Sequence, residues 1–215
     1  MKKIIAAVFA TALMLAGTNA FAQLSAGAGY INSTLSGQYN GSKEDPVNSN
    51  GFYAGASFNV PVASGLSVAP GAYFSMLTST SEDGIKIGPF QQNGKSTFTE
   101  MAVNVPILAN YAYELTRDAK VFAYAGPTFQ FGLVSKDDYE ASGILTTSGT
   151  TDYYDAENPY YNRFNVYVGG GVGAEFAKII ITVGYDYGLM NLYAGSTDDT
   201  AYHRANLHIG VNYAF

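Results

Sequence analysis

Apolar and polar side chains alternate almost without interruption over the last fifteen residues of the chain. One face of this segment is apolar at every second position: Ala205, Leu207, Ile209, Val211, Tyr213 and Phe215. The opposite face is mostly polar: Arg204, Asn206, His208, Gly210, Asn212 and Ala214. Because successive side chains of a strand point to opposite faces, a period of two predicts a β-strand. Its length suits a tilted strand that crosses a bilayer, which needs about 9 to 11 residues.

Seven earlier segments repeat this alternation, so the sequence predicts eight strands. The seven segments begin near Leu24, Phe52, Leu66, Met101, Val121, Phe164 and Ile179. Short turns follow the second, fourth and sixth strands, whereas long polar loops follow the others, at 36–50, 78–96, 135–161 and 191–200. Such loops at one end and turns at the other are typical of a transmembrane β-barrel. We therefore predict an all-β fold, an eight-stranded antiparallel up-and-down barrel over residues 23–215.

Two soluble architectures have strands at a similar spacing. A β-sandwich would not place all of its long loops at one end. A soluble ligand-binding barrel inverts the pattern, with apolar side chains inside, and periodicity alone does not distinguish it from a membrane barrel. The start of the chain favours the membrane, because basic Lys2 and Lys3, an apolar run and the small residues of Ala20–Ala22 predict a signal peptide over residues 1–22.

Composition agrees with an exported membrane protein. Charged residues make up 13% of the chain, against about 25% in soluble domains, and aromatic residues make up 14%. The chain has no cysteine, which excludes disulfides and a lipid-modified cysteine. Its net charge of −6 argues against a nucleic-acid partner.

Four short motifs lie on the predicted strands: Val103–Leu108, Tyr124–Pro127, Tyr185–Asn191 and Gly210–Phe215. Together they resemble a family of small bacterial outer-membrane β-barrel proteins, described as PorT-like or "porin family". The first motif resembles a Leu-Glu-Ile-Pro-Leu-Leu strand of that family, with Asn104 where Glu is common. The resemblance implies a barrel fold and an outer-membrane location. It does not imply an open pore, an enzyme or a secretion role.

Charged side chains on the polar faces of the strands are expected to project into the lumen. An eight-stranded barrel is just wide enough for side chains to fill, and alternating Gly and Tyr suit such filling. Buried charges must pair or change protonation, so we expect two groups of them. The interior charge network near the extracellular end is Glu100, Arg163, Asp186 and Arg204. The pair near the periplasmic end is Glu175 and Lys178. A plug that holds the barrel shut is favoured over a relay for protons or solutes.

The expected function is that of a non-enzymatic barrel with a structural or recognition role. A narrow conductor of ions or small solutes and a lipid-modifying enzyme are the alternatives. Acyl transfer needs a base next to the nucleophile. The sequence Arg204-Ala205 follows His203, rather than the His-x-Ser of a deacylase, and His208 points inward by its position. We therefore predict no catalytic residue, no metal and no cofactor.

Partners are predicted from the loops and from the last strand. The four loops contain twelve acidic and four basic residues. Divalent cations could bridge such loops to lipopolysaccharide, although no calcium-loop motif is present and a solvated acidic surface is the simpler interpretation. We expect contact with outer-membrane lipid, and recognition of Tyr213 and Phe215 by the barrel-assembly machinery. The extracellular ligand is unknown, and a monomer is expected.

Overall fold

The structure is a computed structural model that describes residues 23–87, 90–143, 146–195 and 199–215. The expected signal peptide, residues 1–22, lies outside the described residues. The strands are β1 (Gln23–Tyr39), β2 (Ser42–Lys43), β3 (Val47–Ala63), β4 (Leu66–Ile87), β5 (Phe90–Thr116), β6 (Ala119–Ser142), β7 (Thr147–Asp152), β8 (Phe164–Phe176), β9 (Ile179–Gly188) and β10 (Ala201–Ala214). Within the described residues, no helix is long and apolar enough to cross a bilayer.

Eight of these strands form a closed antiparallel ring. The order is β1, β3, β4, β5, β6, β8, β9 and β10, and the ring closes where β10 pairs with β1 from Ser25–Ala214 to Gln38–Ala201. The short strands β2 and β7 lie outside the ring and pair with β1 and β6. A closed ring leaves no sheet edge without hydrogen bonds, which a bilayer requires because lipid offers the backbone no partners. The predicted eight-stranded barrel is therefore confirmed.

The two faces of the wall differ in polarity as alternation requires. On β10, Leu207 is 52% exposed on the outside, whereas Arg204 is 4% exposed in the lumen. The neighbouring strand continues the outer band with Ile181, Val183 and Tyr185, all of them exposed. Transfer of this apolar surface into lipid stabilises the barrel in the membrane, because apolar area leaves water.

Two of the predicted loops are largely β-structure. Residues 78–96 were expected to form a loop, but β4 and β5 continue through them as a hairpin paired from Thr78–Thr99 to Ile87–Phe90. Residues 135–152 likewise continue β6 and add β7. These segments are rich in Ser, Thr and charged residues, and they lie beyond the apolar band. Without a lipid-facing side they have no apolar alternation, so the sequence pattern did not reveal them as strands.

Two gaps in the pairing of the wall lie beside proline residues. The β3–β4 ladder is interrupted between Ser57–Gly71 and Val60–Val68, beside Pro70. The β4–β5 ladder is interrupted between Pro70–Ile107 and Tyr73–Asn104, beside Pro106. Proline has no N–H to donate, so a ladder loses a hydrogen bond there. The strand through Pro70 that the alternation predicted therefore forms, with breaks in its pairing.

Candidate functional site

The barrel has two different ends, and its lumen has two different halves. The connections β1–β3, β4–β5, β6–β8 and β9–β10 lie at one end, called the loop end. The short turns and both ends of the described chain lie at the other, called the turn end. In outer-membrane barrels the short turns face the periplasm and the long loops face outward. The upper half of the lumen, around Glu100 and Arg204, adjoins the loop end, and the lower half, around Tyr53 and Tyr124, adjoins the turn end.

A buried ion pair crosses the upper half of the lumen. The Arg204 Nη1 atom on β10 donates to Glu100 Oε1 on β5, across the ring. Both side chains are almost completely buried, and so are the neighbouring Tyr154 and Tyr167. In such surroundings, opposite charges attract far more strongly than they do in water. The pair therefore ties opposite sides of the wall together within the upper lumen.

Polar side chains beside the ion pair form a hydrogen-bonded chain around the inner wall. The Tyr167 hydroxyl donates to Gln130 Oε1 at 3.0 Å. The Gln130 amide donates to Asn104 Oδ1 at 3.0 Å, and the Asn104 amide donates to Ser75 Oγ at 2.8 Å. The chain spans four neighbouring strands, β8, β6, β5 and β4. It satisfies polar groups that would be costly to bury alone. Asn104 is the central member of this hydrogen-bonded chain, and it lies at the position where Glu is common in the family that the sequence resembles.

The lower half of the lumen contains a cavity of about 210 Å³. Its wall includes Tyr53, Tyr73 and Tyr124, and it extends to the turn end at Lys120 and Glu175. The hydroxyl of Tyr124 and the Oδ1 atoms of Asn206 and Asn212 have no hydrogen-bond partner in the protein. A cavity of this size is large enough for several water molecules, and these unpaired polar atoms are partners for them. The sequence predicted that side chains fill the lumen, and the structure leaves this cavity in its lower half.

Where the cavity ends, small glycine residues lie against a large tyrosine ring. The Tyr124 ring lies against Gly171 and Gly184, and a Cβ atom built on either glycine would collide with its hydroxyl. His208 on β10 lies beside the same glycine, Gly184. Large rings therefore occupy the space that the glycines leave, as predicted for a narrow barrel.

The structure brings Glu100 and Arg204 together and places the other two residues of the expected network elsewhere. Asp186 lies beside His208 instead, with 3.3 Å between Oδ2 and Nε2. Arg163 lies exposed at the loop end, where it donates to the carbonyl oxygens of Leu133 at 3.2 Å and Tyr154 at 2.6 Å. It precedes β8, so the alternation of that strand does not direct it into the lumen.

The expected pair of Glu175 and Lys178 is replaced by a pair of Glu175 and Lys120. Glu175 on β8 lies directly opposite Lys120 on β6, and their Oε2 and Nζ atoms are 2.8 Å apart. Lys178 lies in the exposed β8–β9 turn, and its Nζ atom is 5.5 Å from the ring centre of Tyr213. Lys120 was not among the expected site residues, although it shares the inward, even-numbered positions of β6 with Tyr124.

A cluster of tyrosines covers the loop end and was not predicted. Two Tyr-Tyr pairs in the β7–β8 connection, 153–154 and 160–161, contribute most of it, with Tyr193 and Tyr202. The ring centres of Tyr160 and Tyr193 are 5.4 Å apart, and those of Tyr161 and Tyr202 are 6.2 Å apart. Burial raises the pKa of Tyr161 above its usual range. The repeated Tyr-Tyr pairs around an acidic segment were the signal available in the sequence.

Two carboxylates of the loop end are stabilised in their charged form. Hydrogen bonding from Lys136 lowers the pKa of Asp138, and Thr150 donates to the same side chain. The backbone N–H groups of Asn158 and Glu157 lower the pKa of Asp155. These acidic residues are therefore negatively charged at neutral pH, and the outer surface of the loops is anionic.

Neither histidine is arranged as a catalytic base in the described part of the chain. His203 lies on the outer face, with Nδ1 3.2 Å from the Gly188 carbonyl oxygen and its ring stacked on Tyr187. His208 faces the lumen and contacts Asp186. No serine or threonine hydroxyl among the described residues is hydrogen-bonded to either ring. The same residues contain no cluster of three potential metal ligands.

A closed ring of strands, an apolar outer band and a polar interior define an integral membrane β-barrel. The chain belongs to the family of the outer membrane protein beta-barrel domain, whose model matches residues 17–194. It is therefore a protein of the bacterial outer membrane, as the sequence predicted. No curated protein matches the chain.

Several barrels of known structure are similar to the chain. One is Ail, the attachment invasion locus protein of Yersinia pestis, in complex with the heparin analogue sucrose octasulfate, with 15% identity, a TM-score of 0.45, and 90% of this chain and 99% of that chain covered. Neisserial surface protein A has 11% identity and a TM-score of 0.42, with 89% and 97% covered. The outer membrane enzyme PagL has 10% identity and a TM-score of 0.34, with 85% and 98% covered.

Proposed function

We propose that this protein is a non-enzymatic outer-membrane barrel that does not conduct solutes and that recognises a partner through its loop end. The observation that carries the proposal is the buried Glu100–Arg204 pair across the upper lumen. The cavity below it extends to the turn end, so the block lies between the cavity and the outside. If the lumen is closed in this way, the loop end is the surface that remains available for interaction with a partner.

The loop end has features that suit recognition. Strands β4, β5, β6 and β7 continue beyond the apolar band as a sheet, which gives the loops a rigid support. Binding residues placed on a rigid scaffold lose little entropy when a partner binds. The acidic side chains favour a cationic partner, or a divalent cation shared with lipopolysaccharide.

Conductance in planar bilayers tests the closed lumen. We expect the purified barrel to show no steady single-channel steps, because the upper half is blocked. Removal of the block in Glu100→Ala/Arg204→Ala should produce steps. The matched control is Lys120→Ala/Glu175→Ala, which removes the ion pair at the turn end and should leave the barrel closed. Steady steps from the parent protein would favour the alternative of a narrow conductor.

Absence of lipid-modifying activity is a second part of the proposal. It is supported by the two histidines, since His203 contacts a backbone carbonyl and His208 contacts a carboxylate. The test is overexpression in a Gram-negative host followed by mass spectrometry of lipid A. We expect an unchanged acylation pattern. A change that His203→Ala abolishes would establish the enzymatic alternative instead.

We also infer that the last strand is read by the barrel-assembly machinery and that the folded barrel is a monomer. The side chains of Tyr213 and Phe215 are exposed on the outer face, with ring centres 5.2 Å apart. Phe215→Ala should lower the amount of folded barrel, measured by its heat-dependent mobility in gels. Phe176→Ala is the matched control, because it removes an exposed ring at the turn end of a different strand. Equal loss in both variants would contradict a special role for the last strand.

A further inference from the structure

A second pocket lies at the loop end, and tyrosine dominates its wall. Its volume is about 310 Å³, which is within the range of small-molecule sites. Five tyrosines line it: Tyr39, Tyr153, Tyr160, Tyr161 and Tyr202. Two adjacent carboxylates, Glu44 and Asp45, line it as well. These seven residues define the tyrosine pocket, which is separate from the cavity in the lower lumen.

The rings of the tyrosine pocket are inclined to one another. The ring centres of Tyr160 and Tyr161 are 5.0 Å apart with 76° between their planes. Those of Tyr153 and Tyr161 are 5.1 Å apart with 32° between planes, and Tyr202 meets Tyr161 at 80°. The same four tyrosines line the pocket, so rings of different orientation border one common space. A cation is attracted wherever it can lie over the face of such a ring.

Hydrogen bonds hold this arrangement in place. The backbone N–H groups of Tyr160 and Tyr161 both donate to the Tyr153 carbonyl oxygen, at 3.0 and 3.1 Å. The Ala194 N–H donates to the Tyr160 carbonyl oxygen at 2.9 Å, which joins the β7–β8 connection to the β9–β10 connection. Because the rings are positioned before a ligand arrives, less free energy is lost in ordering them.

The tyrosine pocket contains two carboxylates, and Lys43, which precedes Glu44 in the chain, forms no ion pair with either of them. Glu44 Oε2 accepts from the Tyr202 hydroxyl at 2.9 Å, which fixes that carboxylate against the aromatic wall. Asp45 is exposed beside it. In the described part of the chain, no lysine or arginine lies within ion-pair distance of either carboxylate. A bound cation would therefore gain attraction from two carboxylates as well as from the rings.

We propose that the tyrosine pocket binds a small organic cation, an alkylammonium or guanidinium group. The inference deepens the recognition role proposed above and rests on it. Aromatic faces attract cations, and carboxylates beside them add charge complementarity that a neutral sugar would not use. The cation is either a free quaternary ammonium compound or the side chain of lysine or arginine on a basic peptide. Both have the same chemistry at the pocket, and separate ligands distinguish them.

Calorimetric titration of the full barrel in lipid nanodiscs tests the proposal. The probes are choline, the amide of N-acetyl-arginine, and 3,3-dimethylbutanol as the uncharged isostere of choline. We expect saturable binding of at least one cation and at least tenfold weaker binding of the isostere. Tighter binding of choline would identify a free quaternary ammonium compound as the ligand class, and tighter binding of the arginine derivative would identify a peptide.

Variants locate the binding in the pocket. Tyr160→Leu should weaken cation binding about tenfold, whereas Tyr113→Leu, which removes an exposed ring at the turn end, should not. Glu44→Gln/Asp45→Asn should also weaken it, whereas Glu82→Gln/Asp83→Asn makes the same change in net charge on the β4–β5 hairpin and should not. Glu44→Gln keeps an oxygen that accepts from Tyr202, so the wall should stay in place.

Three results would overturn the proposal: no saturable binding of either cation, equal binding of the uncharged isostere, or equal loss in the pocket and control variants. Selective binding of a neutral sugar would also overturn it, while leaving a recognition role for the loop end. Conductance of the same preparation reports on the closed lumen separately. If the barrel conducts but still binds cations, only the proposal of a closed lumen is therefore contradicted.

Discussion

The two halves of the lumen are built from the same eight strands but differ in how their side chains fill them. In the upper half, Glu100, Arg204, Tyr154 and Tyr167 are buried against one another. In the lower half, tyrosines surround a cavity of about 210 Å³, and the Lys120–Glu175 ion pair lies at its open end. The number of strands therefore does not by itself decide whether a narrow barrel is filled. Which side chains point inward at each level decides it.

Because of this difference, breaking an ion pair should cost more free energy in the upper half of the lumen than in the lower half. A buried ion pair contributes little net stability when formed, but loss of one partner leaves a charge in an apolar environment. A pair at the edge of the lumen remains hydrated when it is broken. When the same kind of contact is removed, the free energy of unfolding should therefore fall more in the upper half than in the lower half.

Arg204→Ala should have the largest effect. It leaves the Glu100 carboxylate buried without its cation, so we expect a loss of about 3 to 5 kcal/mol in the free energy of unfolding. Urea unfolding of the barrel from lipid vesicles measures it. The variant Glu100→Ala/Arg204→Ala should lose less than the sum of the two single variants, because the two side chains form one contact. Strictly additive losses would show that the pair is not energetically coupled.

A matched pair of hydroxyl deletions compares the two halves at the level of one hydrogen bond. Tyr167→Phe removes the donor to Gln130 Oε1 and leaves that oxygen unsatisfied, so we expect a loss of about 1 to 3 kcal/mol. Tyr124→Phe removes a hydroxyl with no hydrogen-bond partner in the protein, and it should change stability by less than about 0.5 kcal/mol. The same unfolding assay measures both. A larger loss for Tyr124→Phe would reverse the comparison.

The sequence predicted the barrel well because the bilayer acts on every crossing strand in the same way. Each strand needs apolar side chains outside, so alternation from Leu24 to Phe215 indicated eight strands and their inner faces. The extension 78–96 and strand β7 lie outside that constraint, and their Ser and Thr residues suit a hydrated strand as well as a loop. Those segments were accordingly predicted as loops.

The contacts inside the lumen were predictable only in part. Alternation placed Glu100, Asp186 and Arg204 on the inner face, and the predicted order of eight strands placed Glu100 and Arg204 across the lumen from one another, but alternation does not give the level of each side chain in the lumen. That depends on strand tilt and stagger, which set how far each level is displaced around the barrel. Asp186 lies directly opposite Asn206 on the neighbouring strand, so His208 is its diagonal neighbour on the inner face. Lys120 precedes Val121, where the fifth strand was predicted to begin, so its pair with Glu175 could not be derived.

The Lys120–Glu175 pair should give the smallest effect and completes the comparison. Its Nζ and Oε2 atoms are 2.8 Å apart, close to the geometry of an ideal ion pair, yet the Lys120 side chain is 28% exposed and that of Glu175 is 10% exposed. Water at the turn end can hydrate either charge when the other is removed, so Lys120→Met should cost roughly 0.2 to 1 kcal/mol. The loss should shrink further in high salt, because salt screens an accessible pair more than a buried one. Unfolding of Lys120→Met and Arg204→Met at low and high salt measures this, with the same apolar side chain introduced at both positions. A loss of 3 kcal/mol or more at Lys120, or a salt dependence as weak as that at Arg204, would show that the lower half is as dry as the upper half.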